Sequence, residues 1–131
     1  MSRRPRVVLA KVGLDGHDVG VLLIAKHLTE AGMEVVYLGK RNLPETIVAT
    51  AVAEDADVVG VSSLSGGLGE FSVEVVRLLA EQGADIPVIT GGIAEDDEIG
   101  WAIDAGVRHH FGPGEPIQHV VDTFYGLTSR A

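Results

Sequence analysis

The stretch that decides the fold of this chain is residues 7–28, which read VVLAKVGLDGHDVGVLLIAKHL. The apolar run at its start is typical of a buried strand, and the apolar residues at its end recur with helical spacing. The connection between them is longer than the roughly two to six residues usual between a strand and a helix. This connection is rich in glycine and contains Asp15 and His17, and Lys11 precedes Asp15 by four residues. We interpret this connection as part of a functional site.

The rest of the chain continues the same alternation of strand and helix. Apolar β-branched runs predict strands, and apolar residues at spacings of three and four predict helices. Asp18 and Asn42 are predicted helix N-caps, and the predicted buried faces include Val52 and Ile103. The predicted strands are 6–12, 34–38, 57–61, 86–90 and 107–111, and the predicted helices are 18–31, 42–55, 70–81, 95–105 and 116–127.

Strict alternation of five strands and five helices predicts an α/β fold with a parallel sheet covered on both faces. Right-handed crossovers favour a doubly wound, flavodoxin-like (Rossmann-like) sheet with strand order 2-1-3-4-5. The first and third strands are then neighbours at the point where such sheets bind ligands. The unusual loops 13–17 and 62–69 both leave the carboxyl ends of these strands, and Gly91-Gly92 ends the next strand along. We therefore expect three separated segments to meet in one crevice.

Composition narrows the classes of function. A length of 131 residues predicts one domain over 1–131. The formal net charge of -9 argues against binding to nucleic acid, which requires a basic face. Cysteine is absent, so disulfides and thiol chemistry are excluded. No apolar run is long enough to span a bilayer, and we expect a cytoplasmic protein without membrane contact.

The sequence does not contain the motifs of several familiar activities of this fold class. Gly13, Gly16 and Gly20 do not have the spacing of a dinucleotide-binding turn, and no Gly-Lys-Ser/Thr of a P-loop occurs. The third predicted strand ends in Val61-Ser62, without the Asp of a phosphoacceptor domain.

His17 is the strongest chemical signal. Asp15 can accept its Nδ1 proton and leave Nε2 free, while Lys11 can keep Asp15 ionised. A zinc site needs at least about three protein ligands, which the neighbouring sequence lacks. One His suffices for a metal held by a macrocycle. From the residues alone, a merely structural His in a surface loop stays an equal alternative.

The combination Asp15-x-His17-x-x-Gly20, Ser62-x-Leu64 and Gly91-Gly92 resembles the cobalamin-binding signature of adenosylcobalamin-dependent acyl-CoA mutases. The resemblance runs along nearly the whole chain. The chain is similar to the C-terminal domain of methylmalonyl-CoA mutase and to the small subunits of isobutyryl-CoA and 2-hydroxyisobutyryl-CoA mutases.

The resemblance implies that His17 is the lower axial ligand of cobalt, in the base-off/His-on form, with Asp15 and Lys11 behind it as the other catalytic residues. It implies a large acyl-CoA-binding subunit, expected to be a TIM barrel, and allows a homodimer in its absence. The alternative is a free-standing cobalamin carrier, trafficking or sensor module without mutase activity. The implied cofactor-binding residues are Gly16, His17, Asp18, Gly20, Ser62, Leu64, Ser65, Gly66, Gly91, Gly92, Phe111, Gly112 and Gly114.

Three positions depart from the family pattern. Val19 stands where these mutases usually carry Arg, and Glu115 stands where they usually carry Thr. His109-His110 is not part of the pattern, and a solvent-exposed pair is a better interpretation of it than two metal ligands. The acyl-CoA substrate is not predictable, because its contacts would lie in the partner.

Overall fold

The computed structural model describes residues 4–12 and 19–128, without the side chain of Val19. Strands and helices alternate through these residues, as the sequence predicts. In chain order the elements are β1 (Arg6–Lys11), α1 (Val19–Glu30), β2 (Glu34–Tyr37), α2 (Pro44–Ala53), β3 (Val58–Ser63), α3 (Leu68–Glu81), β4 (Val88–Gly92), α4 (Asp96–Asp104), β5 (His109–Phe111) and α5 (Ile117–Leu127).

The five strands form one parallel sheet in the order β2-β1-β3-β4-β5. The predicted flavodoxin-like topology is therefore confirmed. The strand order reverses between β1 and β3, and a crevice opens at such a reversal because the flanking crossovers run to opposite sides.

Two apolar clusters cover the two faces of the sheet, because successive side chains of a strand point to opposite faces. On one face, α1 and α5 pack over Val7 and Leu9 of β1. On the other face, α2 and α3 pack over Val8 and Ala10. All four side chains are buried. The continuous apolar run of β1 is thus explained by burial on both sides.

Several predicted strand ends are wrong. Pairing of Ser62 with Gly91 and of Ser63 with Gly92 extends β3 and β4 beyond their predicted ends. Pairing depends on a neighbour that is distant in sequence, so local pattern does not encode it. The observed strands are Val58–Ser63 instead of 57–61, Val88–Gly92 instead of 86–90, and His109–Phe111 instead of 107–111.

Three predicted roles in helices are also wrong. Val52 and Ile103 are 40% and 45% exposed, because each follows a buried alanine by one residue and so lies about 100° further round its helix. Asn42 is not an N-cap. Leu43 occupies that position of α2 without a side-chain hydrogen bond.

Candidate functional site

Four predicted site residues form one row across four neighbouring strands. The register pairs Lys11 with Ser62, Ser62 with Gly91, and Gly91 with Phe111. The row lies at the carboxyl ends of the strands, where β1 ends at Lys11 and β5 ends at Phe111. The sheet therefore brings together residues that are far apart in the sequence.

A cavity of about 340 Å³ lies beside this row, between the sheet and the helices α1 and α5. Its surface is mainly apolar, with Leu9 and Ile89 from the sheet and Phe124 from α5. A concave apolar site with few polar groups is typical of a small-molecule or cofactor site. Of the predicted site residues, those that line it are Lys11, Gly20, Ser62, Leu64, Gly91, Gly92, Phe111, Gly112 and Gly114.

Lys11 is a buried cation in this cavity, with 1% of its surface exposed. Its Nζ lies 3.4 Å from Ser62 Oγ, which accepts a hydrogen bond from it. A buried ammonium needs polar partners because removing a charge from water is costly. Lys11 and Ser62 thus place two polar groups at the carboxyl ends of β1 and β3, where they can orient a ligand.

Glycines keep the sheet side of the cavity bare. A Cβ at Gly60 would lie 2.6 Å from Leu9 Cδ2 and 3.0 Å from Phe124 Cζ. Gly92 is glycine for a different reason, because a Cβ there would lie 2.0 Å from the backbone carbonyl oxygen of Ser63. Gly60 is missing from the predicted site. Its signal was a glycine inside an apolar strand, which often marks a close approach of another group.

The turn after β3 separates the predicted binding residues into two groups. Ser63 Oγ donates to the carbonyl oxygen of Gly66 at 3.0 Å and accepts from the Ser65 amide at 3.2 Å. Leu64 reaches the cavity and is 43% exposed. Ser65 and Gly66 do not line it, and Gly66 borders a separate cavity of about 320 Å³ beside Ile93. The ligand contacts of Ser65 and Gly66 stay predictions.

The loop after β5 closes the far side of the cavity. Glu115 lines the cavity too, and its Oε1 lies 3.4 Å from His119 Nδ1. The Phe111 ring lies edge-on to the ring of His119, with centroids 5.6 Å apart. The family departure at Glu115 therefore places a carboxylate at the edge of the cavity.

His109 and His110 are half-buried and are not the fully solvent-exposed pair that the sequence predicts. The His109 ring centroid lies 4.5 Å from that of Phe111, and His110 Nδ1 lies 2.8 Å from Thr90 Oγ1. Burial lowers the pKa of His110, and the charge of His109 adds to this. A backbone hydrogen bond with Gly92 and the charge of Glu98 act in the opposite direction.

The predicted residues Asp15, Gly16, His17 and Asp18 lie outside the described residues. Within 4–12 and 19–128, no group of three His, Asp or Glu side chains is close enough to hold a metal ion. In the same residues, no helix has the length and apolar character needed to cross a bilayer.

Comparison with known proteins identifies the class of this protein. Residues 5–121 match the family model of the B12 binding domain. The match covers most of the chain, and the chain therefore belongs to the family of B12 binding domains.

Within that family, the chain is similar over its full length to small subunits of acyl-CoA mutases. It is 44% identical to the 2-hydroxyisobutanoyl-CoA mutase small subunit of Aquincola tertiaricarbonis, over 98% of this chain and 96% of that protein. It is 37% identical to the pivalyl-CoA mutase small subunit of Xanthobacter autotrophicus, over 99% of this chain and 89% of that protein. The resemblance predicted from the motifs is confirmed.

A solved structure shares the fold. The crystal structure of a cobalamin-binding protein from Desulfitobacterium hafniense superposes with a TM-score of 0.82 at 24% identity, over 95% of this chain and 60% of that chain.

Proposed function

We propose that this chain is the cobalamin-binding small subunit of an adenosylcobalamin-dependent acyl-CoA mutase. The observation that carries the proposal is the glycine-lined apolar cavity beside the junction of β1 and β3 in a B12 binding domain. The full-length similarity to two mutase small subunits supports the type of enzyme. A cytoplasmic location, predicted from the sequence, is part of the proposal.

The lining of the cavity fits the nucleotide tail of cobalamin. That tail ends in dimethylbenzimidazole, a flat and largely apolar ring system. Leu9 and Phe124 offer apolar contacts, and Gly60 leaves the sheet between them without a side chain. Lys11 and Ser62 offer polar groups to the hydrophilic part of the tail. Burial of an apolar ring with a few oriented polar contacts is how cofactor sites gain both affinity and specificity.

We assign the axial-ligand role to His17 from the sequence signature. Asp15 would accept the Nδ1 proton, fixing the tautomer that leaves Nε2 free for cobalt. Lys11 would keep Asp15 ionised. The burial of Lys11 beside Ser62 supports this role, since a buried cation is stabilised by a nearby carboxylate.

Bound adenosylcobalamin would supply the radical chemistry of a carbon-skeleton rearrangement. This chain's own residues would bind the tail, orient the axial ligand and exclude water from the cavity. The acyl-CoA would bind to a separate large subunit, expected to be a TIM barrel. We therefore expect the chain to bind cobalamin by itself and to catalyse nothing without that partner.

The test is an absorption titration of the purified chain with adenosylcobalamin, for wild type and His17→Ala. Wild type should give a base-off/His-on spectrum. In His17→Ala the spectrum should revert to base-off, or binding should weaken at least about tenfold. Identical spectra for the two proteins would contradict the role of His17.

A second measurement tests the subunit assignment. Acyl-CoA isomerisation should appear only when a mutase large subunit is added to the chain and cofactor. Turnover by the chain alone would overturn the assignment. Binding of cobalamin without turnover in the presence of its large subunit would favour the carrier, trafficking or sensor alternative.

A further inference from the structure

Beyond β2 the chain stays hydrogen-bonded to β1 through Leu38 and Gly39, turns away at residues 40–41 and pairs with it again at Asn42. Regular pairing of the two strands ends at Leu9 and Tyr37. Beyond that point the Lys11 amide donates to the carbonyl oxygen of Gly39 at 3.0 Å. Asn42 then forms an isolated parallel bridge with Val12. The turn at residues 40–41 contains Arg41, whose φ of 60° is uncommon for a residue with a side chain.

Asn42 holds the end of β1 with its backbone and its side chain. Its amide N donates to the carbonyl oxygen of Lys11 at 2.9 Å. Its side-chain Nδ2 donates to the same Lys11 oxygen at 3.1 Å and to the carbonyl oxygen of Gly39 at 2.8 Å. One carboxamide thus ties the segment that follows β2 to Lys11, the last residue of β1.

The backbone of Lys11 is fixed from both sides as a result. On the β2 side it bonds to Gly39 and Asn42. On the β3 side the next amide, that of Val12, donates to the carbonyl oxygen of Ser62 at 3.1 Å. The Lys11 side chain meets Ser62 in the cavity. The placement of this buried cation therefore depends on a side chain that does not itself line the cavity.

Asparagine is the residue type that this arrangement requires. Its carboxamide has two N–H donors on one short side chain, and both face carbonyl oxygens here. An aspartate has the same shape but only acceptors, so it would place a carboxylate against two carbonyl oxygens. Asn42 is also the sole asparagine of the chain.

We propose that Asn42 is a positioning residue for cobalamin binding, which holds Lys11 and the end of β1 in place, at the point where the chain continues to the proposed axial ligand. This inference rests on the proposed function, because the ligand, His17, follows Lys11 by six residues in the sequence. Asn42 acts through Lys11 and touches no cofactor.

A purely structural role for Asn42 is the competing explanation, and the hydrogen bonds distinguish it from a positioning role. If the Asn42 side chain is removed, the Lys11 oxygen keeps the Asn42 amide and the Gly39 oxygen keeps the Lys11 amide. Each carbonyl therefore retains one donor, so the fold survives while the end of β1 loses its lateral support.

The experiment compares wild type, Asn42→Ala and Asn42→Asp in an adenosylcobalamin titration followed by absorption. Both variants should lower the ratio of His17-ligated to unligated cofactor about tenfold, the effect of about two lost hydrogen bonds. Asn42→Asp should be no better than Asn42→Ala, although it preserves the shape. Ser72→Ala is the matched control, since the buried Ser72 hydroxyl bonds to Leu68 and Gly69 carbonyl oxygens away from the cavity.

Hydrogen exchange without cofactor separates failure of this inference from failure of the proposed function. In Asn42→Ala the amides of Lys11 and Val12 should exchange about tenfold faster, whereas Ser72→Ala should leave them unchanged. Unchanged exchange in Asn42→Ala, or a ligation ratio equal to that of wild type, would overturn the positioning role. A wild type with no His17-dependent spectrum would overturn the proposed function and the inference with it.

Discussion

Gly91 and Gly92 are adjacent in the sequence but have different reasons to be glycine. Gly92 has a φ of 124°, and a Cβ there would lie 2.0 Å from the Ser63 carbonyl oxygen, which is backbone and cannot move aside. At Gly91 the nearest atom to a Cβ would be the Phe111 carbonyl oxygen, at an ordinary 3.8 Å. Gly92 is therefore required by the fold, whereas Gly91 leaves space in the cavity.

Alanine at the two positions should accordingly affect different properties, stability at Gly92 and cobalamin binding at Gly91. Gly92→Ala should lower the free energy of unfolding by at least about 2 kcal/mol, because it adds backbone strain and a collision. Gly91→Ala should stay within about 1 kcal/mol of wild type but weaken cobalamin binding, since its methyl group enters the cavity. Urea unfolding and a cobalamin titration measure the two effects. Equal loss of stability in both variants would contradict this distinction.

At the scale of elements, the edge strand β5 is tied to β4 by a titratable contact. His110 Nδ1 lies 2.8 Å from Thr90 Oγ1, and burial lowers the pKa of His110 below its ordinary value of 6.5. Between that lowered pKa and 6.5, the unfolded chain binds a proton that the folded chain does not. The contribution of His110 to stability is therefore complete above pH 6.5 and is lost as the pH falls below it.

Replacement of His110 by Asn should reduce the stability that the protein loses between pH 7 and pH 5. Thr90→Val is the control, because it removes the hydroxyl partner and keeps the titrating ring. It should lower stability at both pH values while retaining the difference between them. Urea unfolding at the two pH values measures this, and a loss in His110→Asn as large as in wild type would contradict the assignment.

At the scale of the whole molecule, cofactor binding and folding should be linked. The cavity is bounded by β1, β3, β4, β5, α1 and α5, so unfolding of the chain destroys it. Adenosylcobalamin at about 100 times its Kd should stabilise the folded state by about 2.7 kcal/mol. In a chain of this size that corresponds to a Tm increase of roughly 5–15 °C.

Calorimetry with two cobalt corrinoids provides the test of this linkage. Cobinamide, which lacks the nucleotide tail, should raise the Tm much less than adenosylcobalamin at equal concentration. His17→Ala should also reduce the increase caused by adenosylcobalamin. Equal increases with cobinamide and adenosylcobalamin would contradict tail binding in the cavity.

The order of elements, the sheet topology and the edge of the sheet that carries the cavity were predictable from the sequence pattern, whereas cobalamin as the ligand followed from the resemblance of the motifs. Apolar periodicity is a local property, so the patterns of residues 7–10 and 21–28 predict a strand and a helix without further information. Five such alternations leave few parallel topologies, and right-handed crossovers select one of them. The motif residues Ser62 and Gly91 were assigned to the cavity for the same reason, since they lie at the ends of recognisable strands.

Tertiary structure decided which residues meet and which do not. The ends of β3 and β4 follow from their mutual pairing, and the turn fixed by Ser63 keeps Ser65 and Gly66 away from the cavity. Asn42 has the local pattern of a helix cap, but its side chain donates hydrogen bonds to the carbonyl oxygens of Lys11 and Gly39 instead. These outcomes depend on contacts between segments that are distant in the sequence. The sequence by itself determines what each segment can form, whereas only packing decides which competing partner each polar group obtains.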